Sequence, residues 1–283
     1  VARLKLIKNM GFPLFIVDAF VGQLENRVLR GNPAGVILLD GSQTDSWLAS
    51  VAAEVNHAET AFIWSRGDGE FDLRWFTPEI EVDLCGHATL GAAHLLWENG
   101  EESPELTFHT RSGVLKATRR DGRVTLDFPI QKPSITPQNL PLLQILGLSN
   151  LRNPVAFLRV GDDLLLKVAS GSVEKIKPDF AKLRDLSLNM GIRGVVVTEL
   201  APEGAPYDFT SRFFGPAVGI NEDHVTGSAH CGLAPFWANR FPDRPMIGYQ
   251  ASSRGGFVVC EIQGERVRLS GQAKTAIRGE LLI

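Results

Sequence analysis

Asp83-Leu84-Cys85-Gly86-His87-Ala88-Thr89-Leu90-Gly91-Ala92-Ala93-His94-Leu95-Leu96-Trp97 is the stretch whose reading governs the fold. A glycine starts it, small residues follow, and it closes on an apolar run, the pattern of a helix buried on all sides. A second copy lies downstream as Asp223-His224-Val225-Thr226-Gly227-Ser228-Ala229-His230-Cys231-Gly232-Leu233-Ala234-Pro235-Phe236-Trp237. Setting Gly86 on Gly227 also sets Ala88 on Ala229, Gly91 on Gly232 and Ala93 on Ala234. The approaches match too: Arg74-Trp75-Phe76-Thr77-Pro78 leads into the first copy and Arg212-Phe213-Phe214-Gly215-Pro216 into the second. Two self-similarities in the same order argue for a duplicated unit. They predict two pseudo-symmetric halves whose helix N-termini face one cleft.

Outward from these helices the chain is mostly strand. Phe12 to Val21 is apolar, β-branched and aromatic, and reads as a buried strand. Gly31-Asn32-Pro33-Ala34-Gly35 is turn chemistry ahead of another strand, Val36 to Leu39. Ser42 to Val55 reads as a helix capped by Thr44 or Asp45, with Trp47, Leu48, Val51, Ala52 and Val55 on one face. Strands at Thr60 to Trp64 and Phe71 to Phe76 flank the Gly67-Asp68-Gly69 turn, which leaves Glu59 at a helix-to-strand junction. The first glycine-started helix ends near Asn99-Gly100. Strands follow at Leu106 to His109, at Gly113 to Thr118, and at Val124 to Leu126, closed by Asp127-Phe128-Pro129.

Pro129, Pro133, Pro137 and Pro141 mark a linker between the halves. Beyond it the pattern predicts a short helix over Pro141 to Leu148 and a hairpin of Val155 to Val160 with Leu164 to Val168. A helix from about Pro178 to Met190 and strands at Gly194 to Thr198 and Tyr207 to Phe214 come next. Strands at Gly256 to Gln263, Arg266 to Gly271 and Ala276 to Ile283 complete the pattern. Short strands around few helices are not the βαβ alternation of a doubly wound sheet. The expectation is an α+β fold of two pseudo-symmetric lobes, residues 1–128 and 129–275. Each is a curled, mostly antiparallel sheet wrapped around a central helix, and a strand at about 276–283 returns to the first lobe.

Composition narrows the function. At 283 residues with 44% hydrophobic and 22% charged, the chain has ample material for a core. A net charge of -3 and no basic cluster interleaved with aromatics exclude nucleic acid and anionic membrane as expected partners. Cys85, Cys231 and Cys260 show no CxxC spacing and fit a reducing compartment. The start, Val1 to Lys8, is too interrupted by charge for a signal peptide, and no run reaches the ~20 apolar residues of a membrane span. A soluble cytoplasmic protein is expected.

Gly86 and Gly227 permit close backbone approach, and the amides that follow, including those of Ala88 and Ser228, are a ready anion site. Two facing helix starts can hold one carboxylate between them. Glu59, flanked by Ala58, Ala61 and Phe62, is expected to be desolvated and raised in pKa, which suits proton transfer near neutral pH. Asp223 and His87 join this site if the fold brings them to Glu59. Cys85 and Thr226 align immediately before the motif glycines; a thiol at a helix N-terminus has a lowered pKa and can act as a base, while the commoner alternative is a small buried Cys. His87 with His94 and His224 with His230 match no familiar metal-ligand spacing, so no metal is expected. Nucleotide and acyl-enzyme motifs are absent.

With these residues assembled, the chain resembles the phenazine biosynthesis PhzF-like family, related in fold to diaminopimelate epimerase. The motifs are Val17-Asp18-Ala19-Phe20, Gly31-Asn32-Pro33-Ala34, Asn56-His57-Ala58-Glu59-Thr60-Ala61-Phe62, Arg74-Trp75-Phe76-Thr77-Pro78, Cys85-Gly86-His87-Ala88-Thr89-Leu90 and Glu222-Asp223-His224-Val225-Thr226-Gly227-Ser228-Ala229-His230. The resemblance implies two similar lobes around an active site and cofactor-free isomerase chemistry on a small carboxylate. It gives Glu59 the role of general acid/base, sets His87, Asp223 and Ser228 on other active-site positions, and sets Gly86 on a substrate contact. It also implies a homodimer. His224 stands where the family motif commonly has Pro. The alternatives are an epimerase or dehydratase using Cys85 with Thr226, and a non-catalytic interaction protein on the same fold.

Overall fold

Alternation sets the strands. In β1 (Phe12–Leu24), Phe15, Val17 and Ala19 are buried while Leu14, Ile16 and Asp18 are more open, the period of two that a pleated strand imposes. The computed structural model describes residues 11–148, 156–242 and 244–282. The N-terminal residues 1–8, Val155 at the expected start of the hairpin, and Ile283 lie outside them.

After β1 come β2 (Arg27–Leu29), β3 (Asn32–Leu39), α1 (Asp45–Val55), β4 (Thr60–Gly67), β5 (Glu70–Phe76), β6 (Glu81–Val82) and α2 (Gly86–Glu98). The first half of the chain ends with β7 (Glu105–Thr110), β8 (Gly113–Arg120) and β9 (Arg123–Pro129). The second half runs β10 (Ser134–Ile135), α3 (Leu140–Ile145), β11 (Ala156–Val160), β12 (Asp163–Lys167), α4 (Phe180–Met190), β13 (Gly194–Leu200), β14 (Phe209–Gly215), β15 (Ile220–Asp223) and α5 (Gly227–Trp237). It closes with β16 (Met246–Gln250), β17 (Gly256–Gln263) and β18 (Arg266–Leu281). The strands join into one mostly antiparallel, barrel-like sheet.

The pairings occur twice in the same order. β3 lies parallel to β4, β4 and β6 flank β5 antiparallel, and β7 joins β5 in parallel. Likewise β12 lies parallel to β13, β13 and β15 flank β14 antiparallel, and β16 joins β14 in parallel. The arginine of each approach motif has the same task. Arg74 Nε donates to Glu81 Oε1 at 2.7 Å and its guanidinium covers the Phe76 ring. Arg212 Nε donates to Glu222 Oε1 at 2.7 Å and covers Phe214. Each fork pins the short strand ahead of a glycine-started helix.

Both helices are interior. α2 touches β1, β3, β4, β9 and β18, whereas α5 touches β17, β18 and α2. Small residues are a steric requirement here: a methyl added at Gly232 would lie 2.1 Å from Val160 Cγ1. One hydrophobic cluster contains Leu90, Leu95 and Trp97 of α2 together with Leu233, Ala234 and Trp237 of α5, so the two helices share a core. At about 25 cal/mol per Å² of apolar surface, each fully buried Leu contributes on the order of 2 kcal/mol before entropy is counted. α1 packs outside, on Ile37, Phe62 and Phe76, and α4 on Leu142, Leu164 and Phe214.

Two expectations need correction. The proline-rich span is not a bare linker, because β10 lies within it and pairs with β11. The last two expected strands are one, β18. Its residues 266–271 pair with β9, and residues 272–281 pair with β1. The strand continues past Gly271 because β1 supplies its ladder partners across a bulged register. Among the described residues, no helix is long and apolar enough to cross a membrane.

Candidate active site

The two helix starts meet. A methyl placed at Gly86 would lie 3.8 Å from the Gly227 Cα, and one placed at Gly227 would lie 3.8 Å from the Gly86 Cα. α1, α3 and α4 are each capped by a side chain, from Thr44, Asn139 and Asp179. α2 and α5 are not: neither Cys85 nor Thr226 caps its helix with a side-chain hydrogen bond. Their first amides therefore keep the donor capacity and partial positive charge of a helix N-terminus. A cleft of about 1000 Å³ opens over them, lined by Glu59, Gly86, His87, Asp223, Gly227 and Ser228 among others.

Ala88 is the exception among the expected site residues. It is fully buried and does not line the cleft. The expected substrate contact at Ala88 therefore falls in the core behind the helix start and not on the cleft wall.

Glu59 is positioned by backbone geometry. Asn56 ends α1 in the left-handed region at φ 52, which turns the chain sharply toward β4, and the Glu59 carbonyl accepts from Gly35 N at 3.1 Å. The carboxyl group lands beside His87, with Oε2 3.3 Å from Nε2 and only 15% of the Glu59 side chain exposed. Desolvation pushes its pKa above the usual carboxylate range; nearby Asp223 adds to the rise, and His87 opposes it. Although 3.3 Å is hydrogen-bond reach, the two atoms are not aligned for one, and both are buried without another partner. The other imidazole nitrogen, Nδ1, faces Cys85 Sγ at 3.5 Å.

Asp223 enters from the other half of the chain, clamped. Asn32 Nδ2 donates to its Oδ1 at 2.8 Å and to the Val225 carbonyl at 3.0 Å, and Thr226 Oγ1 donates to Oδ2 at 2.6 Å. Gln250 steadies the clamp by donating from Nε2 to the Asp223 carbonyl and to Thr226 Oγ1, while its Oε1 accepts from Thr226 N. Sequence reasoning missed Asn32 as anything beyond a turn residue and missed Gln250 entirely. Their partners lie 191 and 24–27 residues away in sequence, and no local pattern carries that information.

Cys85 is the small buried thiol of the two alternatives, not an activated one. Burial drives its thiol well above the usual pKa, reinforced by the charge of Glu59. The helix N-terminus does not win, because desolvation of a wholly buried thiolate outweighs a half-charge dipole. Thr226 spends its hydroxyl hydrogen on Asp223. Neither member of this aligned pair is poised as a base. His230 is buried with its pKa pushed down to about 4 by desolvation, and its Nδ1 meets the Thr226 carbonyl at 2.8 Å. Glu59, Cys85 and His87 offer ligand atoms within 4.8 Å of one another, the one such grouping among the described residues.

Arg193 is a cleft residue that the sequence pattern did not single out. It follows α4 and precedes β13, the same kind of helix-to-strand junction that drew attention to Glu59, so the signal was available. Its guanidinium makes a fork with Asp163, Nε to Oδ1 at 2.9 Å and Nη2 to Oδ2, and Nη2 also donates to Ser228 Oγ at 3.0 Å.

Comparison with known proteins gives concordant results. The model of the phenazine biosynthesis-like protein family (PhzC-PhzF) matches residues 17–279. A protein of Halalkalibacterium halodurans named an uncharacterized isomerase is 43% identical over 280 residues, spanning 97% of this chain and 100% of its own length. The crystal structure of a phenazine biosynthesis protein of the PhzF family from Enterococcus faecalis superposes with a TM-score of 0.86 at 38% identity, covering 97% of this chain and 100% of that one. A hydroxyproline epimerase from Agrobacterium vitis shares the fold alone, with a TM-score of 0.60 at 13% identity over 96% of this chain and 91% of that one.

Proposed function

Because the chain belongs to the phenazine biosynthesis-like (PhzC-PhzF) family, we propose that it is an isomerase that moves a proton between carbons of a small carboxylate, with Glu59 as the acid/base group. No cofactor is needed in this reading. Residues 1–128 and 129–275 form two lobes with the substrate site between them in this reading.

One observation carries the proposal: a desolvated carboxyl with a raised pKa faces His87 Nε2 at 3.3 Å at the floor of a cleft bordered by two uncapped helix starts. A general base works best when its pKa lies near the operating pH, and burial moves Glu59 in that direction. The open amides at Gly86 and Gly227 bind the carboxylate and stabilise negative charge that develops as the proton leaves. His87 meets the charge on Glu59, and clamped Asp223, which also lines the cleft, faces the substrate. Glu59 then returns the proton to a second carbon.

The test is solvent exchange. Small carboxylates are incubated with the protein in deuterated water, and loss of carbon-bound proton signals is followed by NMR. Wild type is expected to wash deuterium into a substrate, Glu59→Gln to be slower by about 10²–10⁴-fold, and Cys85→Ala to stay within a few-fold of wild type. Undiminished exchange by Glu59→Gln sinks the assignment, and a severe loss confined to Cys85→Ala moves the chemistry to the thiol.

A further inference from the structure

The duplicated frame is not duplicated in charge. β4 pairs with β5 through Thr60 and Phe76, and β13 pairs with β14 through Val195 and Phe214. Setting Phe76 on Phe214 therefore sets Thr60 on Val195. The left-handed C-caps agree, since Asn56 (φ 52) and Gly191 (φ 58) each fall four residues earlier. Ala58 then corresponds to Arg193, and Glu59 to Gly194. A side chain has no room at Gly194: its Cβ would lie 2.5 Å from Phe213 Cζ and 2.7 Å from the Phe214 carbonyl oxygen. One wall of the cleft carries the acid, and the equivalent stretch of the other carries a cation.

Arg193 is built to present that cation. Asp163, with 3% of its side chain exposed, holds one edge of the guanidinium, and the Phe213 ring lies 5.0 Å beneath it. The Arg193 side chain keeps 37% of its surface open and lines the cleft. Among the described residues nothing accepts from Nη1. Ser228 stands at the second position of α5; because its Oγ accepts from Arg193, its own hydroxyl hydrogen remains for another acceptor. Two Nη1 hydrogens, one hydroxyl and the open amides of α5 thus gather at the start of α5, a donor set that matches a carboxylate. Glu59 with His87 lines the same cleft, and Asp223 lies within electrostatic reach of both Glu59 and Arg193.

We infer that Arg193 and Ser228 are the anion anchor of this cleft: they seat the carboxylate of a mono-anionic substrate at the start of α5 and leave its uncharged, reacting end over Glu59. This rests on the reading of Glu59 as the acid/base group. It adds a polarity to substrate binding and a class: one anionic end only, because a second carboxylate would be driven against Glu59 and Asp223.

Benzoate, benzamide and terephthalate serve as probes, with binding read by calorimetry and by the rise in melting temperature. Wild type is expected to bind benzoate, to bind terephthalate more weakly, and to ignore benzamide. Arg193→Met is expected to lose benzoate affinity by at least about tenfold, the scale of a charge-assisted hydrogen bond, while Glu59→Gln keeps benzoate and gains terephthalate. If the charge left on Asp163 unfolds the single variant, Arg193→Met with Asp163→Asn removes that charge and is measured instead. Benzoate binding within twofold of wild type in a folded Arg193 variant overturns the anchor, as does equal binding of benzamide or no binding of benzoate at all. Should Glu59→Gln abolish deuterium exchange while Arg193→Met binds benzoate normally, the acid/base reading stands and only the anchor falls. Normal exchange by Glu59→Gln with benzoate lost in Arg193→Met removes the acid/base role and leaves the anchor standing.

Discussion

At the residue scale, the decisive balance is between burial and charge at Glu59. Its folded pKa is raised above the ordinary carboxyl value of 4.5, so across the window from 4.5 up to the raised value the folded state holds more proton than the unfolded one. Stability then falls as pH rises through that window, and the contribution is fully present only below it. Glu59→Gln removes the titration. Thermal melts should therefore find the variant more stable than wild type at neutral and alkaline pH, with the two converging near pH 4; a gap that widens toward acid contradicts the burial argument. Asn32 offers a second test. Its amide makes a buried hydrogen bond to the Val225 carbonyl and a part-buried, charge-assisted one to Asp223, so Asn32→Ala is expected to cost about 2–4 kcal/mol in chemical denaturation. Glu59 was legible because a carboxyl among alanines and phenylalanine at an element junction is anomalous in one dimension. Arg193 sits at a similar junction, but an arginine ahead of a strand looks ordinary until Asp163, Phe213 and Ser228 surround it.

At the element scale, the glycines of the two central helices divide by task. Gly232 is steric: β11 runs so close that a methyl would overlap Val160. Gly232→Ala is expected to cost about 1–3 kcal/mol as overpacking, measured by denaturant midpoint. Gly86 is different, since an added methyl meets only ordinary contacts, Phe128 at 3.6 Å and Gly227 at 3.8 Å. Gly86→Ala should melt within about 1 kcal/mol of wild type yet bind carboxylate less well, because the methyl borders the helix start. Equal damage to stability at both positions would remove this distinction. The small-residue pattern predicted that these helices would be buried, and they are. It did not distinguish a glycine facing a strand from a glycine facing a cleft, since both look alike until the neighbouring element is in place. The merged strand β18 escaped for a similar reason: its polar middle looks like a break, and only pairing with β1 keeps it extended.

At the scale of the whole molecule, the two halves are stitched by contacts that no local pattern announces. Arg254 bonds Asp18 and the carbonyls of Arg30 and Gly31, and Arg27 reaches the Tyr249 hydroxyl and the carbonyls of Ser252 and Ser253. β18 does more, lying against β17 and β9 over its first part and against β1 over the rest. A chain cut after Gly271 keeps the β2 and β3 pairings of β1 but loses its whole ladder with β18, so circular dichroism should show no cooperative melt; a sharp transition would mean the first half closes without it. The same strand bears on how the protein is made. Phe12 leaves the ribosome early, yet its partner Leu281 is translated 269 residues later by their numbers. At about 5–20 residues per second, the nascent β1 edge waits on the order of tens of seconds for its mate. An unpaired hydrophobic strand edge is a template for misassociation between polysomal neighbours, so the face that completes the native sheet is also the one a chaperone must shield longest.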